Sequence, residues 1–142
     1  MKLQLAFDFL EIPQILKMLE RVADAIDMAE IGTPVIIRDG IEAVRRIKAA
    51  FPELPTVADL KIMDGGEYEA SLAFEAGADY VTVLALADDA TIAQAQRAAE
   101  SYKARIMADM IGLKEIRRRA AEIEALGASC ICVHTAIDVQ HT

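Results

Sequence analysis

Ala76-Gly77-Ala78-Asp79-Tyr80-Val81-Thr82-Val83-Leu84 and Leu126-Gly127-Ala128-Ser129-Cys130-Ile131-Cys132-Val133-His134 are two copies of one pattern. In each, a glycine closes a helical segment in the left-handed cap conformation, and an apolar run follows at once. Runs of this kind stand at 3–7, 27–31, 55–58, 79–84, 104–108 and 129–133, beginning 24, 28, 24, 25 and 25 residues apart. Between them apolar residues recur at helical spacing, as in Ile12, Ile15, Leu16, Leu19 and Val22, and again in Ile116, Ala120, Ile123 and Leu126. Strands alternating with helices at a fixed period predict a βα repeat and a parallel sheet.

The expected fold class is α/β, a (β/α) barrel of the TIM type, with about six strands and five helices. A closed barrel of this type has eight strands, so the last two βα units are missing from the count. Residues 1–142 are expected to form a single, partial barrel domain. Such a chain is a fragment, an open sheet, or a protomer whose edge strands a partner covers.

Composition narrows the function classes. At 142 residues and 54% hydrophobic, the chain can bury a sizeable core. Its formal charge of −8 argues against nucleic acid and against an anionic membrane surface. Asp8 interrupts the first apolar run too early for a signal peptide, and no segment approaches a membrane span. Cys130 and Cys132 alternate on one strand and cannot easily bridge each other. They suggest a reducing compartment, so the expected location is cytoplasmic.

The charges fall in a pattern. Ala58-Asp59-Leu60-Lys61-Ile62-Met63-Asp64-Gly65-Gly66 continues a short buried strand. Alternation puts Asp59 and Lys61 on one side, and Asp64 follows just before a glycine pair that opens a helix. Ions in such a strand each cost several kcal/mol unless they pair or serve a site. Asp8, Glu30, Asp59, Asp109 and His134 stand at or near the carboxyl ends of five different strands. That is the edge where parallel α/β sheets and barrels bind ligands, so the pattern predicts an enzyme.

Each residue also has a plainer reading. Asp59 and Lys61 could form a structural ion pair, and Glu30 could sit at a wet strand end. Asp8 and Asp109 could cap the helices that follow, although Pro13 points to a later helix start. Gly65-Gly66 could bind an anion or merely permit a tight turn. His141 belongs to a tail. Cys130 and Cys132 read as core filling, since no third ligand stands at zinc-site spacing. Arg117-Arg118-Arg119 reads as a solvated helix face countered by Glu115, Glu122 and Glu124.

Taken in order, Ala6-Phe7-Asp8, Glu30-Ile31-Gly32-Thr33-Pro34, the 58–66 stretch, Tyr80-Val81-Thr82-Val83-Leu84, Ala108-Asp109-Met110-Ile111 and Val133-His134-Thr135 resemble the 3-hexulose-6-phosphate synthase family. That family lies in the orotidine 5′-monophosphate decarboxylase superfamily. The resemblance runs along essentially the whole chain and rests on Asp-x-Lys-x-x-Asp, narrowed by Glu-Ile-Gly-Thr-Pro. It implies a cytoplasmic lyase that adds formaldehyde to the enediolate of D-ribulose 5-phosphate, in formaldehyde fixation by the ribulose monophosphate pathway. Glu30 and Asp59 would hold Mg²⁺, which suits hard oxygen ligands and would neutralise the developing enediolate charge. The implied catalytic residues are Asp59, Lys61, Asp64 and His134, with His134 moving the proton. Asp8, Glu30, Lys61 and Asp109 would bind substrate. Asp64 is expected to reach a neighbouring subunit's site, which implies a homodimer or higher homo-oligomer. In related 3-keto-L-gulonate-6-phosphate decarboxylases an arginine lies three residues after the strand-end histidine. Ile137 stands there, which favours the synthase. The family's phosphate loops follow the seventh and eighth strands, and no residue after Thr142 supplies them. An inactive fragment that associates through its open sheet edges is the alternative from another class.

Overall fold

Cap chemistry and period decide where each element of the computed structural model begins. The structure describes residues 1–140, and His141 lies outside the described residues. The order is β1 (Gln4–Phe7), α1 (Ile12–Val22), β2 (Met28–Ile31), α2 (Thr33–Asp39), α3 (Glu42–Ala50), β3 (Thr56–Ile62), α4 (Gly66–Glu75), β4 (Tyr80–Leu84), α5 (Asp89–Tyr102), β5 (Arg105–Asp109), α6 (Ile116–Ala125) and β6 (Cys130–Cys132). Gly77 and Gly127 have φ of 97° and 99°, so both repeats end their helices in the left-handed conformation that the sequence requires. Glu11, not Asp8, precedes α1, and its N–H donates to Gln14 Oε1 at 2.9 Å.

Two expectations are refined. Among the described residues six α-helices form rather than five, because the segment between β2 and β3 breaks at Gly40, whose φ is 71°. A residue with a Cβ pays to adopt that conformation. The bound of β3 also moves, to Ile62, four residues past the apolar run at 55–58, with Asp59 and Lys61 on the strand as expected.

The six parallel strands lie in the order β1-β2-β3-β4-β5-β6. No reversal of strand order occurs, which separates this sheet from doubly wound folds and places it in the barrel class. Register is known at β1–β2, β2–β3 and β5–β6, all parallel.

The chain divides into two compact units, crossing from one to the other within β3, within α4 and within β4. The first holds residues 1–60 and 72–81. Its core is Ile15, Leu19, Ile31, Val35, Val44, Ile47 and Val57, all fully buried. Each such side chain contributes about 1.5–3 kcal/mol. Asp79 ties the sheet's lower end, accepting from Lys48 Nζ and from the Thr56 N–H, both at 2.8 Å.

The second unit holds residues 61–71 and those from Thr82 onward. Ile92, Ile106, Met110 and Ile123 fill its core. A Cβ on Gly66 would fall on the Thr91 carbonyl oxygen of α5, so glycine there lets α4 and α5 approach closely. Arg119 is not part of a solvated face. Its guanidinium donates to the carbonyls of Ala85 (2.7 Å) and Ala87 (2.9 Å) and pairs with Asp89 (2.6 Å) and Glu122 (3.2 Å). Burial alone would lower its pKa, but the bonds to Asp89 and Glu122 prevail and hold it above the ordinary value. Arg117 and Arg118 are exposed, as expected. Among the described residues no helix is long and apolar enough to cross a membrane.

Candidate active site

In the first unit the polar residues gather at the carboxyl ends of β1, β2 and β3. Asp8 follows β1 and packs against Gly32, where a Cβ would collide with its carboxylate. Gly32 is therefore fixed by contact with Asp8, and its N–H donates to the Phe7 carbonyl at 2.9 Å. Glu30 lies in β2 and accepts from Gln4 Nε2 at 2.6 Å. Asp59 is 5% exposed. Its Oδ2 accepts from Thr33 Oγ1 at 2.7 Å and from the Thr33 N–H at 3.3 Å.

Register relates the two acids. Glu30 lies opposite Val57, so Asp59, two residues further along β3, shares its face of the sheet. Diagonal neighbours of this kind are roughly 7–8 Å apart at Cα, a span that two carboxylates can bridge around one cation. Their oxygens are hard donors of the type magnesium takes. The pair therefore fits the metal that the resemblance implies.

In the second unit three predicted residues come together. His134 Nδ1 lies 2.8 Å from Asp109 Oδ2, and Lys61 Nζ lies 4.0 Å from the same oxygen. Asp109 is 2% exposed, and its Oδ1 accepts from the Ile111 N–H at 2.9 Å. Since α6 starts at Ile116, Asp109 does not cap it. Lys61 has a φ of 49°, outside the extended range, so the strict two-residue alternation assumed for this strand does not run through it. Its N–H is taken up by Thr82 Oγ1 at 2.8 Å. A non-glycine residue in this conformation costs of order 1–3 kcal/mol and is typical of functional sites. Asp64 is exposed and accepts from the Gly65 N–H at 2.7 Å. Cys130 and Cys132 form no disulfide and are half-buried rather than core filling. Cys132 joins Asp109 and His134 in a cluster.

Sequence reasoning missed Gln4, Thr33, Thr82 and Cys132. Thr33 had a signal, its place in Glu-Ile-Gly-Thr-Pro beside a short helix. The others act through partners 21 to 26 residues away, which local patterns do not show.

Comparison with known proteins bears on the family of the chain. The family model described as "Orotidine 5′-phosphate decarboxylase / HUMPS family" matches residues 1–142. A 3-hexulose-6-phosphate synthase from Bacillus subtilis (strain 168) is 53% identical over 140 residues, which is 99% of this chain and 67% of that protein. The crystal structure of 3-hexulose-6-phosphate synthase from Salmonella typhimurium superimposes with a TM-score of 0.96 at 43% identity, covering 99% of this chain and 67% of that one. A 3-keto-L-gulonate-6-phosphate decarboxylase from Vibrio cholerae gives 0.88 at 31% identity, covering 96% and 64%. The chain thus spans about two thirds of the length of the relatives it matches.

Proposed function

The chain belongs to the orotidine 5′-phosphate decarboxylase / HUMPS family, and from that premise we propose that it is an aldehyde-lyase of the 3-hexulose-6-phosphate synthase type. The substrates are formaldehyde and D-ribulose 5-phosphate. A proton leaves C1 of the ketose, the resulting enediolate carbon bonds to the formaldehyde carbon, and the new alkoxide takes up a proton. The product is a 3-hexulose 6-phosphate.

The observation that carries this reading is the approach of both His134 and Lys61 to one buried carboxylate oxygen of Asp109. His134 is the residue that moves the proton. The carboxylate can only accept, so Nδ1 holds a hydrogen and Nε2 is left as the basic nitrogen. The Lys61 ammonium donates to the enediolate oxygens, a charge-assisted bond that strengthens as negative charge develops. Asp8 and Asp109 accept from substrate hydroxyls. Glu30 and Asp59 would hold Mg²⁺, with Thr33 orienting Asp59 for that task. Bound there, the ion would supply Lewis-acid polarisation of the ketose carbonyl and charge to offset the enediolate.

We further assign a homodimer or higher homo-oligomer, with Asp64 serving the neighbouring subunit's site, in the cytoplasm. Exposed Phe9, Ile37 and Tyr68, each more than 70% accessible, support association.

The test is formaldehyde consumption with ribulose 5-phosphate and Mg²⁺, run beside Lys61→Ala and Asp59→Asn, with light scattering on the same samples. Loss of formaldehyde that needs Lys61 and Mg²⁺ is expected. Equal rates in wild type and Lys61→Ala would overturn the assignment, and a stable monomer would overturn the oligomer.

A further inference from the structure

We propose that Asp109, Cys132 and His134 form a three-ligand site for a borderline-soft divalent cation of the zinc type. This inference goes beyond the aldol reading and does not depend on it.

Strand register builds the cluster. Asp109, the last residue of β5, lies opposite Cys132 of β6, and His134 follows two residues later. One ligand atom from each lies within 4.8 Å of the other two. Zinc bonds of roughly 2.0–2.3 Å to oxygen, nitrogen and sulfur set ligand-to-ligand edges of roughly 3.3–3.6 Å in a tetrahedron. The His134 Nδ1–Asp109 Oδ2 edge is 2.8 Å and has to open by roughly 0.5 Å, while the remaining edges draw in by roughly 1.2–1.5 Å at most. Rotation of the cysteine and imidazole side chains supplies that movement.

Chemistry selects the ion. A carboxylate, a thiolate and an imidazole are a mixed set that takes zinc and excludes magnesium, which demands oxygen. Asp109 is already oriented, its Oδ1 held by the Ile111 N–H, as ligand carboxylates are in metal sites. Three protein ligands leave a fourth position for water. Cys132 and His134 are half-buried, so the ion can enter from solvent. Binding releases the Cys132 thiol proton, and the neutral imidazole binds through Nδ1 as the tautomer that carries its hydrogen on Nε2. The Lys61 ammonium, 4.0 Å from Oδ2, opposes a dication, so its removal tightens binding. The sequence pattern concealed the cluster because His134 and Asp109 are 25 residues apart on different strands.

The experiment is a titration of the full chain with Co²⁺ as the spectroscopic stand-in for zinc. Wild type and Cys130→Ser should develop the near-ultraviolet thiolate-to-cobalt band and the visible bands of four-coordinate cobalt. Cys132→Ser should lose the thiolate band and bind about tenfold or more weakly, while Lys61→Ala keeps the band. Absence of the band at saturating Co²⁺, its survival in Cys132→Ser, or its loss in Cys130→Ser would overturn the site. A second measurement needs no variant. Zn²⁺, but not Mg²⁺, should protect Cys132 of the wild-type chain from iodoacetamide, mapped by mass spectrometry, and equal alkylation with and without Zn²⁺ refutes the proposal. Neither readout involves formaldehyde or a sugar phosphate, so this inference and the aldol reading fail separately.

Discussion

His134 Nδ1 stands 2.8 Å from Asp109 Oδ2, and the Ile111 N–H holds the other carboxylate oxygen at 2.9 Å. The imidazole is therefore oriented by a carboxylate that is itself oriented. Asp109→Asn keeps the shape but can present an N–H to Nδ1, which favours the other tautomer and blocks Nε2 as a base. In the proposed reaction kcat should fall by about 100-fold or more, the scale of general acid–base contributions, with KM moving less. Steady-state kinetics on a variant with unchanged circular dichroism checks this. A kcat within a factor of two of wild type would remove the dyad from the mechanism.

Thr82 is 3% exposed and accepts the N–H of Lys61, the residue with a φ of 49°. The strained backbone persists because this hydroxyl satisfies a donor that the left-handed φ at Lys61 diverts. Thr82→Val keeps the volume and removes the acceptor. It should cost about 1–3 kcal/mol, the penalty for stranding a buried polar group. Thr82→Ser should recover most of the loss. Chemical denaturation midpoints separate the two, and equal midpoints for Val and wild type would mean that Lys61 N–H has another acceptor.

Most of the fold was legible because its signals are local. Gly77 and Gly127 mark helix ends in the sequence as plainly as they do in space, and six apolar runs became six strands. The extra helix break at Gly40 was missed because Arg38-Asp39-Gly40 reads equally well as the middle of one irregular segment. Of the site, the charged residues at strand ends were visible, since ions there have few structural reasons to exist. Their partners were not. Thr33, Thr82 and Cys132 are ordinary strand or helix residues until register brings Asp59, Lys61 and Asp109 beside them. Arg119 failed for the opposite reason. Its run of three arginines suggested a solvated face, but only register along α6 distinguishes the one that turns inward to the Ala85 and Ala87 carbonyls.

Glu122 gives a pH dependence with a definite sign. Hydrogen bonds from Arg118, and next from Arg119, hold its carboxyl below the ordinary 4.5. A depressed folded-state pKa stabilises the fold fully above the unfolded value, and that contribution is lost as pH falls through the lower folded value. Wild type should therefore be more stable than Glu122→Gln at pH 7, and the difference should fade on acidification as the pH drops through the lowered folded value. The pair with Arg118 is solvent-facing, with 81% and 40% of the side chains accessible, so added salt should shrink the difference too. Urea midpoints against pH, at two salt concentrations, provide the check. A gap that persists in acid would trace to packing, not charge.

Thr33 tests whether Asp59 is a metal ligand without touching the ligand itself. Its hydroxyl and its N–H both reach Asp59 Oδ2, at 2.7 and 3.3 Å, and the hydroxyl is also 2.8 Å from the Asp59 carbonyl oxygen. Such contacts fix the direction of a carboxylate's remaining lone pairs, and losing them in metal sites typically lowers affinity by about 10- to 100-fold. Thr33→Val is nearly isosteric and removes only the hydroxyl, so α2 should remain and the N–H bond with it. If Glu30 and Asp59 hold Mg²⁺, the concentration of Mg²⁺ needed for half-maximal activity should rise by about tenfold or more. Activity at saturating Mg²⁺ should change far less, since the metal restores the carboxylate's orientation once bound. Thr33→Ser should track wild type. A purely structural hydroxyl predicts another outcome: a lower denaturation midpoint with the Mg²⁺ requirement unmoved, which would detach Asp59 from the metal.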